Sequence, residues 1–324
     1  MTNPPDFEVT AGGAVALQPV TVTRKSPRRL FWDRFRQDKA ALAGGIVIII
    51  LIFIAFFGGP IAAHISGHPQ NTTYNNMTDA FGVPLGPNSH FWFGADAAGR
   101  DLFVRTMYGA RTSLFVGIVA SGLAVLIGLV VGLTAGFAGG WVDSGLSRFA
   151  DVLLAVPQIL IAVGIVAACS TTKNGCLGGL IQPGLTVVIA VITLFSWSYI
   201  ARIVRGYTLS LREKEFVESA RAAGASNLRI VRSEILPNLI GPLIVYTTLL
   251  IPTNILFEAA LSYLGLGVPP DEASWGSILT DASQLYDVAW WLMLFPGGFL
   301  IITTLAFNLL GDGLRDAFDV RSER

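Results

Sequence analysis

Apolar positions along this chain run in long blocks rather than alternating. Six blocks reach the length of a bilayer crossing: residues 41–63, 113–136, 150–169, 180–200, 238–264 and 288–310. A hydrocarbon core of roughly 30 Å takes about 20 helical residues at about 1.5 Å rise each. Few of the blocks show the strict period-two alternation of a barrel strand, and lipid offers an open backbone no hydrogen-bond partner, so each block predicts a helix. Composition agrees, because 52% of the 324 residues are hydrophobic and the mean hydropathy is +0.61, a balance rare in a soluble domain. The first block follows residues 1–40 and exceeds the roughly 7–15 apolar residues of a cleavable signal core, so it is expected to stay as an anchor.

Formal net charge is +0, which says nothing about partners, but the distribution of charge orients the chain. Arg24, Lys25, Arg28, Arg29, Arg34, Arg36 and Lys39 precede the first span, and Arg148 lies between the second and third. Arg202, Arg205, Arg212, Lys214, Arg221, Arg229 and Arg232 lie between the fourth and fifth, and Arg315, Arg321 and Arg324 follow the sixth. Of the 22 Lys and Arg residues, Arg100, Arg105, Arg111 and Lys173 alone fall on the other side. The positive-inside rule then places both termini in the cytoplasm. The resulting plan has five parts. A cytoplasmic tail with an interfacial helix spans 1–40, a first transmembrane helix 41–64, and an extracytoplasmic segment 65–111. A five-helix core covers 112–311, with a cytoplasmic connector at about 212–237, and a cytoplasmic tail ends the chain at 312–324.

Several local patterns carry expectations. Leu30, Phe31 and Phe35 among basic residues suit a helix on the inner leaflet. "ADAAGRDLFVRTMYGAR" predicts a helix that Asp96 caps, with Leu102, Phe103, Met107 and Ala110 as its apolar stripe, lying either in the membrane interface or on the external loop. Gly128, Gly132, Gly136 and Gly140 recur every four residues and line one helix face, for close packing either within this chain or against another subunit. Pro157 predicts a kink in the third span, and the polar Gln158 beside it, with Asn254 in the fifth, is a candidate to line a path through the membrane. Cys169 and Cys176 face a compartment that permits a disulfide, and they are either bridged or two separate thiols.

Absences narrow the chemistry. There is no G-x-x-x-x-G-K-[ST] phosphate loop, no G-x-S-x-G, no H-E-x-x-H and no pair of carboxylates inside the spans. His64 and His68 are four apart, but Ser66 and Gly67 between them favour a turn over a shared metal site. Asp151 is expected to pair with Arg148. Glu258, the one acid well inside an apolar block, falls near the outer face and suits a hydrogen-bonded structural role rather than the midplane relay of an ion-coupled transporter.

The most charged connector in this 14% charged chain is "EFVESARAAGASNLRIVRSEILP", from Glu215 to Pro237. Phe216, Ala220 and Ala223 fall at i, i+4 and i+7, with Lys214, Glu218 and Arg221 on a wetter face, which predicts a short amphipathic helix. Gly224 stops it, Ser226 caps a second helix, and Leu236-Pro237 is expected to close that one before the fifth span. A merely solvated loop has no need of an apolar stripe, so the stripe asks for a groove on a partner.

This connector resembles the cytoplasmic signature of permease subunits of bacterial ABC importers at Glu218, Ala220, Gly224, Leu236 and Pro237. Ser219 stands for the usual Ala, and Glu234 stands where an aliphatic residue is common. "FGADAAGRDLFVRTMYGARTSL", "WSYIARIVRGYTLSLREKEFVESARAAGAS", "FEAALSYLGLGVPPDEASWG" and "FNLLGDGLRDAFD" are similar to the C-type subunit of dipeptide and oligopeptide permeases, from Phe93 to Asp319. The nickel-importer C subunit is similar over the same stretches. The resemblance implies an all-α integral membrane protein with six transmembrane helices, the type I ABC importer permease fold and both termini cytoplasmic, in a bacterial inner membrane. It implies a B-type permease partner, two ATPase domains in one or two chains that bind ATP and Mg, and an extracytoplasmic substrate-binding protein. It assigns ATPase coupling to Glu215, Phe216, Glu218, Ser219, Ala220, Arg221, Ala223, Gly224 and Ala225, with no catalytic or metal residue in this chain and no nucleic-acid partner. An ion-coupled secondary transporter and a recruiting scaffold are the readings from other classes.

Overall fold

A computed structural model describes residues 26–170, 175–176, 179, 181–269 and 271–318. The expected N-terminal tail up to residue 25, most of the loop between the cysteines and the end of the C-terminal tail lie outside the described residues. Helices α1 (Pro27–Gln37), α2 (Lys39–Phe53), α3 (Gly59–Ser66), α4 (Leu102–Ala138), α5 (Gly140–Ala155) and α6 (Gln158–Ser170) make the first half. Then follow α7 (Leu185–Leu211), α8 (Glu215–Ala222), α9 (Asn227–Ile230), α10 (Leu236–Tyr263), α11 (Trp275–Leu285) and α12 (Trp291–Phe318). Among the described residues only isolated β-bridges occur, and no strand.

Five helical segments are long and apolar enough to cross a bilayer: Lys39–Ser66, Leu102–Ala138, Leu185–Leu211, Asn227–Tyr263 and Trp291–Phe318. Their outward faces carry large apolar side chains, among them Ile49 and Phe56, each 68% exposed, and Val130, 64% exposed, as a lipid-facing surface requires. The expected third span is not one helix. Gly140–Ala155 and Gln158–Cys169 meet at an 86° bend, because Pro157 drives Val156 into extended backbone at φ −83° and ψ 139°. The anticipated kink is therefore a break.

Two spans absorb a proline differently. A π-helical turn at Ile54–Gly58 precedes Pro60, and another at Val231–Ile235 precedes Pro237, so the wider turn accommodates the missing backbone donor and the helix continues. Leu236-Pro237 thus does not close the second connector helix, contrary to the sequence expectation. The helix runs from Asn227 to Tyr263.

The bundle centres on α4 against α7, where Gly128, Gly132 and Gly136 bring two backbones together. A Cβ at Gly128 would sit 2.7 Å from the Cβ of Ile200, one at Gly132 2.5 Å from the carbonyl oxygen of Ala201, and one at Gly136 2.7 Å from the Cβ of Thr208. The glycine face thus packs within the chain, whereas Gly140 leaves the pattern with φ +58° at the start of α5. At the connector end of α7 Arg205 forms a bidentate pair with Asp143 of α5, and Asp151 pairs with Arg202 at 2.6 Å, not with Arg148. Asp151 and Arg202 sit on facing helices, while Arg148 is one turn back on Asp151's own helix. In α1, Phe31 packs on Phe318 of α12 at 4.5 Å, which ties the N-terminal helix to the end of the last span.

The external entrance also differs from expectation. Asp101, not Asp96, caps α4 by accepting from the Val104 amide, and α4 continues unbroken for 37 residues, so no separate interfacial helix precedes the second span. Leu102, Met107 and Ala110 are buried in the bundle rather than presented to lipid. Gly67 turns the chain with φ +72°, and the Nδ1 of His68 lies 2.6 Å from Asp101 Oδ2. Glu258 is fully buried and accepts from the hydroxyls of Ser113, at 3.0 Å, and Ser262, at 2.7 Å. Ser113 in turn accepts from the Trp275 amide at 3.2 Å, so this carboxyl ties α4, α10 and α11 together.

Replacing Gly132 with Val should destabilise the purified protein by at least about 1–3 kcal/mol through overpacking against Ala201 and Val204. Gly122→Ala, with nothing within 4 Å of the new methyl, should leave the melting temperature unchanged. Equal melting temperatures for the two variants would contradict the close α4–α7 approach.

Candidate functional site: the charged connector and a polar node in the bundle

The connector is built by one buried residue that the sequence pattern did not single out. Helix α7 ends at Leu211, and after a turn Lys214 starts α8 in extended backbone at ψ 148°. On α8, Val217 is 0% exposed and joins Ile230, Ile235 and Leu239 in a core cluster that also holds Ala150 of α5 and Ile200, Ala201 and Val204 of α7. The apolar stripe read from the sequence therefore points elsewhere. Phe216 is 39% exposed, Ala223 is exposed, and Ala220 is half-buried against the chain's own cluster. A period-3.6 reading groups Phe216 with Ala220. It cannot tell which of the adjacent residues 216 and 217 turns inward, because that depends on the cluster beneath.

Gly224 supplies the turn between α8 and α9 with φ +80°, a backbone that side-chain-bearing residues avoid. The Ala225 amide donates to the Ala220 carbonyl at 3.0 Å, and the Gly224 amide to Arg221 at 3.0 Å, closing the helix end. Ser226 occupies the N-cap position of α9 without a side-chain capping bond. Glu215, Glu218, Ser219 and Arg221 are exposed along with Phe216 and Ala223, so one outward face carries mixed charges around apolar contacts. Beside it lies a recess of about 290 Å³ lined by Ala220, Ala223, Gly224, Ala225, Arg229 and Glu234. All nine sequence-assigned coupling residues fall within this α8–α9 corner. A face of mixed charges that includes an exposed aromatic suits a protein partner.

Deeper in the bundle, Gln158 and Asn254 come together although 96 positions separate their numbers. Both line a cleft of about 370 Å³ with Ser196, Tyr199, Tyr246 and Thr253. Asn254 is 2% exposed. It donates through Nδ2 to Ser121 Oγ at 2.9 Å and accepts from Ser196 Oγ at 2.8 Å, so its amide fixes α10 against α4 and α7. Gln158 starts α6 just past the break. Sequence spacing gave no sign of Tyr199 and Tyr246, since a lone Tyr in an apolar span is common at an interface with water. At the far end of α6, Cys169 and Cys176 are joined sulfur to sulfur, with Cα atoms 5.0 Å apart. The Cys176 amide donates to Ile181 at 2.9 Å, which folds the loop back as a short bridge.

This arrangement is an all-helical bundle of membrane-length apolar helices with a charged elbow between α7 and α10. The fold is shared with the inward-facing MetNI methionine ABC transporter: one chain superposes with a TM-score of 0.52 at 21% identity, covering 64% of this chain and 94% of its own. A second crystal form gives 0.54 at 20% identity.

Residues 128–324 match the family model of binding-protein-dependent transport system inner membrane components, and residues 26–84 match the N-terminal transmembrane domain of oligopeptide transport permease C. The chain is 40% identical over 313 residues to the oligopeptide transport system permease protein OppC of Bacillus subtilis, covering 97% of this chain and 96% of that one. It is 38% identical to the dipeptide transport system permease protein DppC of the same organism, over 90% of this chain and 85% of the relative. Identity to the glutathione transport system permease protein GsiD of Pectobacterium atrosepticum is 37%, over 91% of each. The chain belongs to the binding-protein-dependent inner-membrane permease family, as a multi-pass membrane protein.

Truncating Val217 to Ala should loosen α8 by about 2 kcal/mol, a loss typical of a buried branched side chain. Amide hydrogen exchange across residues 215–222 should then quicken roughly thirtyfold while the spans stay protected; unchanged exchange would refute the anchoring role. Non-reduced peptide mass spectrometry should recover residues 169 and 176 as one cross-linked species, and two free thiols would refute the bridge.

Proposed function

We propose that this chain is one of two permease subunits of an ATP-driven importer of short peptides, and that α8 with its Gly224 corner is the element seated on a cytoplasmic ATPase. The observation that carries this reading is the division of labour on α8, with Val217 clamped into the chain's own core and Phe216 and Ala223 left outward. A helix fixed on one side and apolar on the other passes a push from its partner to the bundle instead of folding away from it. The oligopeptide, dipeptide and glutathione systems to which its relatives belong support a peptide cargo.

The lever is continuous. Helix α7 enters the connector directly, and the helix from Asn227 to Tyr263 leaves it, reaching Asn254 about 40 Å along at about 1.5 Å per residue. Motion at α8 therefore shifts both sides of the cleft that holds Gln158, Tyr199, Tyr246 and Asn254, which we assign to the translocation path. ATP and Mg belong to two ATPase domains in one chain or two. A B-type permease completes the path, and an extracytoplasmic binding protein delivers cargo. The positive-inside distribution supports cytoplasmic termini. In alternating access the ATPases close and open, and the bundle follows. No bond is made or broken by this chain.

Phe216→Ala and Gly224→Val should each assemble in the membrane yet lower peptide uptake by the reconstituted importer at least about tenfold, the scale of losing one interface anchor. ATP hydrolysis should lose its stimulation by cargo-loaded binding protein. Wild-type uptake in both variants would sink the coupling assignment.

A further inference from the structure

The polar groups of the cleft between α6, α7 and α10 fall into two sets. Asn254 is spent on Ser121 and Ser196, and Thr253 donates to the Leu249 carbonyl at 3.2 Å, so these side chains hold the wall together. The carboxamide of Gln158 and the hydroxyls of Tyr199 and Tyr246 make no hydrogen bond among the described residues, and all three line the same cleft. The two phenol rings meet edge to face with centroids 6.4 Å apart, which sets them side by side. Tyr199 is 48% exposed, while Gln158 and Tyr246 are half-buried.

None of the described residues that line the cleft is charged. Charges on the flanking helices are engaged elsewhere: Asp151 pairs with Arg202 at 2.6 Å, and Glu258 accepts from Ser113 and Ser262. A carboxamide and two hydroxyls left without hydrogen bonds are costly against lipid tails, so the occupant that fits them is polar. A wall without countercharge suits an uncharged polar group. Gln158 offers a carbonyl acceptor beside an NH2 donor, the complement of the C=O and N–H of a secondary amide. The volume of about 370 Å³ falls within the roughly 300–1,000 Å³ typical of small-ligand sites.

We propose that Gln158 binds a backbone peptide group of the cargo, its carbonyl accepting from the peptide N–H and its NH2 donating to the peptide C=O. The hydroxyls of Tyr199 and Tyr246 donate to neighbouring backbone oxygens. The proposal rests on the peptide-importer reading and names the chemical group recognised in its path. Every peptide repeats this group whatever its side chains, so this wall holds cargo without reading side-chain charge. Gln158 starts α6 just past the break, Tyr199 rides on α7 and Tyr246 on α10, so a shift of any one helix alters the grip.

The test is the maximal rate of uptake by the reconstituted importer, at saturating cargo-loaded binding protein, for alanyl-glycyl-alanine and alanyl-sarcosyl-alanine. The second peptide carries a methyl in place of the central amide proton. Wild type should carry the glycyl peptide at least about tenfold faster, the scale of leaving one amide acceptor unpaired. Gln158→Met, close in shape but without the carboxamide, should bring the ratio of the two rates to about one. Taking the ratio within each variant cancels losses of assembly or coupling, which slow both peptides alike. If Gln158→Met does not assemble, Gln158→Leu supplies the same comparison. Peptides with a central alanine, lysine or glutamate should be carried by wild type within about threefold of one another. Equal rates of the glycyl and sarcosyl peptides in wild type, or a ratio that persists without the carboxamide, overturns the site while uptake itself upholds the peptide reading. Absence of uptake of any of these peptides by wild type defeats the peptide reading.

Discussion

The close approach of α4 and α7 is the contact on which the rest of the structure depends. Three glycines let Ile200, Ala201 and Thr208 sit against the α4 backbone, at distances that any β-carbon would forbid. In a membrane no hydrophobic force pulls helices together, so such an interface is held by dispersion between tightly fitted surfaces. It fixes α7, and α7 runs on into the connector. The cluster that receives Val217 is built on the same helix, from Ile200, Ala201 and Val204. Moving α7 by a side-chain's width would unseat the elbow and shift the polar cleft at once.

Function follows from stiffness at one end and separation at the other. The α8 corner is locked by a left-handed glycine, two closing hydrogen bonds and one buried valine, so it turns as a body. The broken pair α5 and α6 packs on α7, and its α5 arm is fastened by Arg205 to Asp143 and Arg202 to Asp151. In the proposed coupling, a push at the α8 elbow would have two outlets, α7 with its clamped α5 arm and the long helix through Asn254. Glu258, held by Ser113 and Ser262, ties α10 to α4 and α11 near the outer end and gives that lever a fixed point.

Much of this was legible in the sequence because membrane physics leaves few choices. Block lengths gave five of the spans, and the i, i+4 glycines gave the tight helix face. What escaped depends on contacts between distant positions. Pro157, Pro60 and Pro237 look alike as letters, yet one breaks a helix and two follow π turns that carry the chain on. Asp96 and Asp101 are both plausible caps, and burial of Asp96 among arginines decided between them. Val217 and Phe216 are adjacent, and only the packed cluster beneath them says which faces in. Gln158 and Asn254 were each visible as polar residues in apolar spans, but their meeting with Tyr199 and Tyr246 required the fold.

The central claim is that the outward face of α8 rests on an ATPase while its inward face rests on this chain. A photo-crosslinking phenylalanine analogue placed in turn at residues 216 and 217 of the assembled importer measures this directly. The account predicts a covalent adduct to the ATPase from position 216, and from position 217 either no adduct to it or one within this chain. ATPase adducts of equal yield from both positions, or from neither, would contradict it.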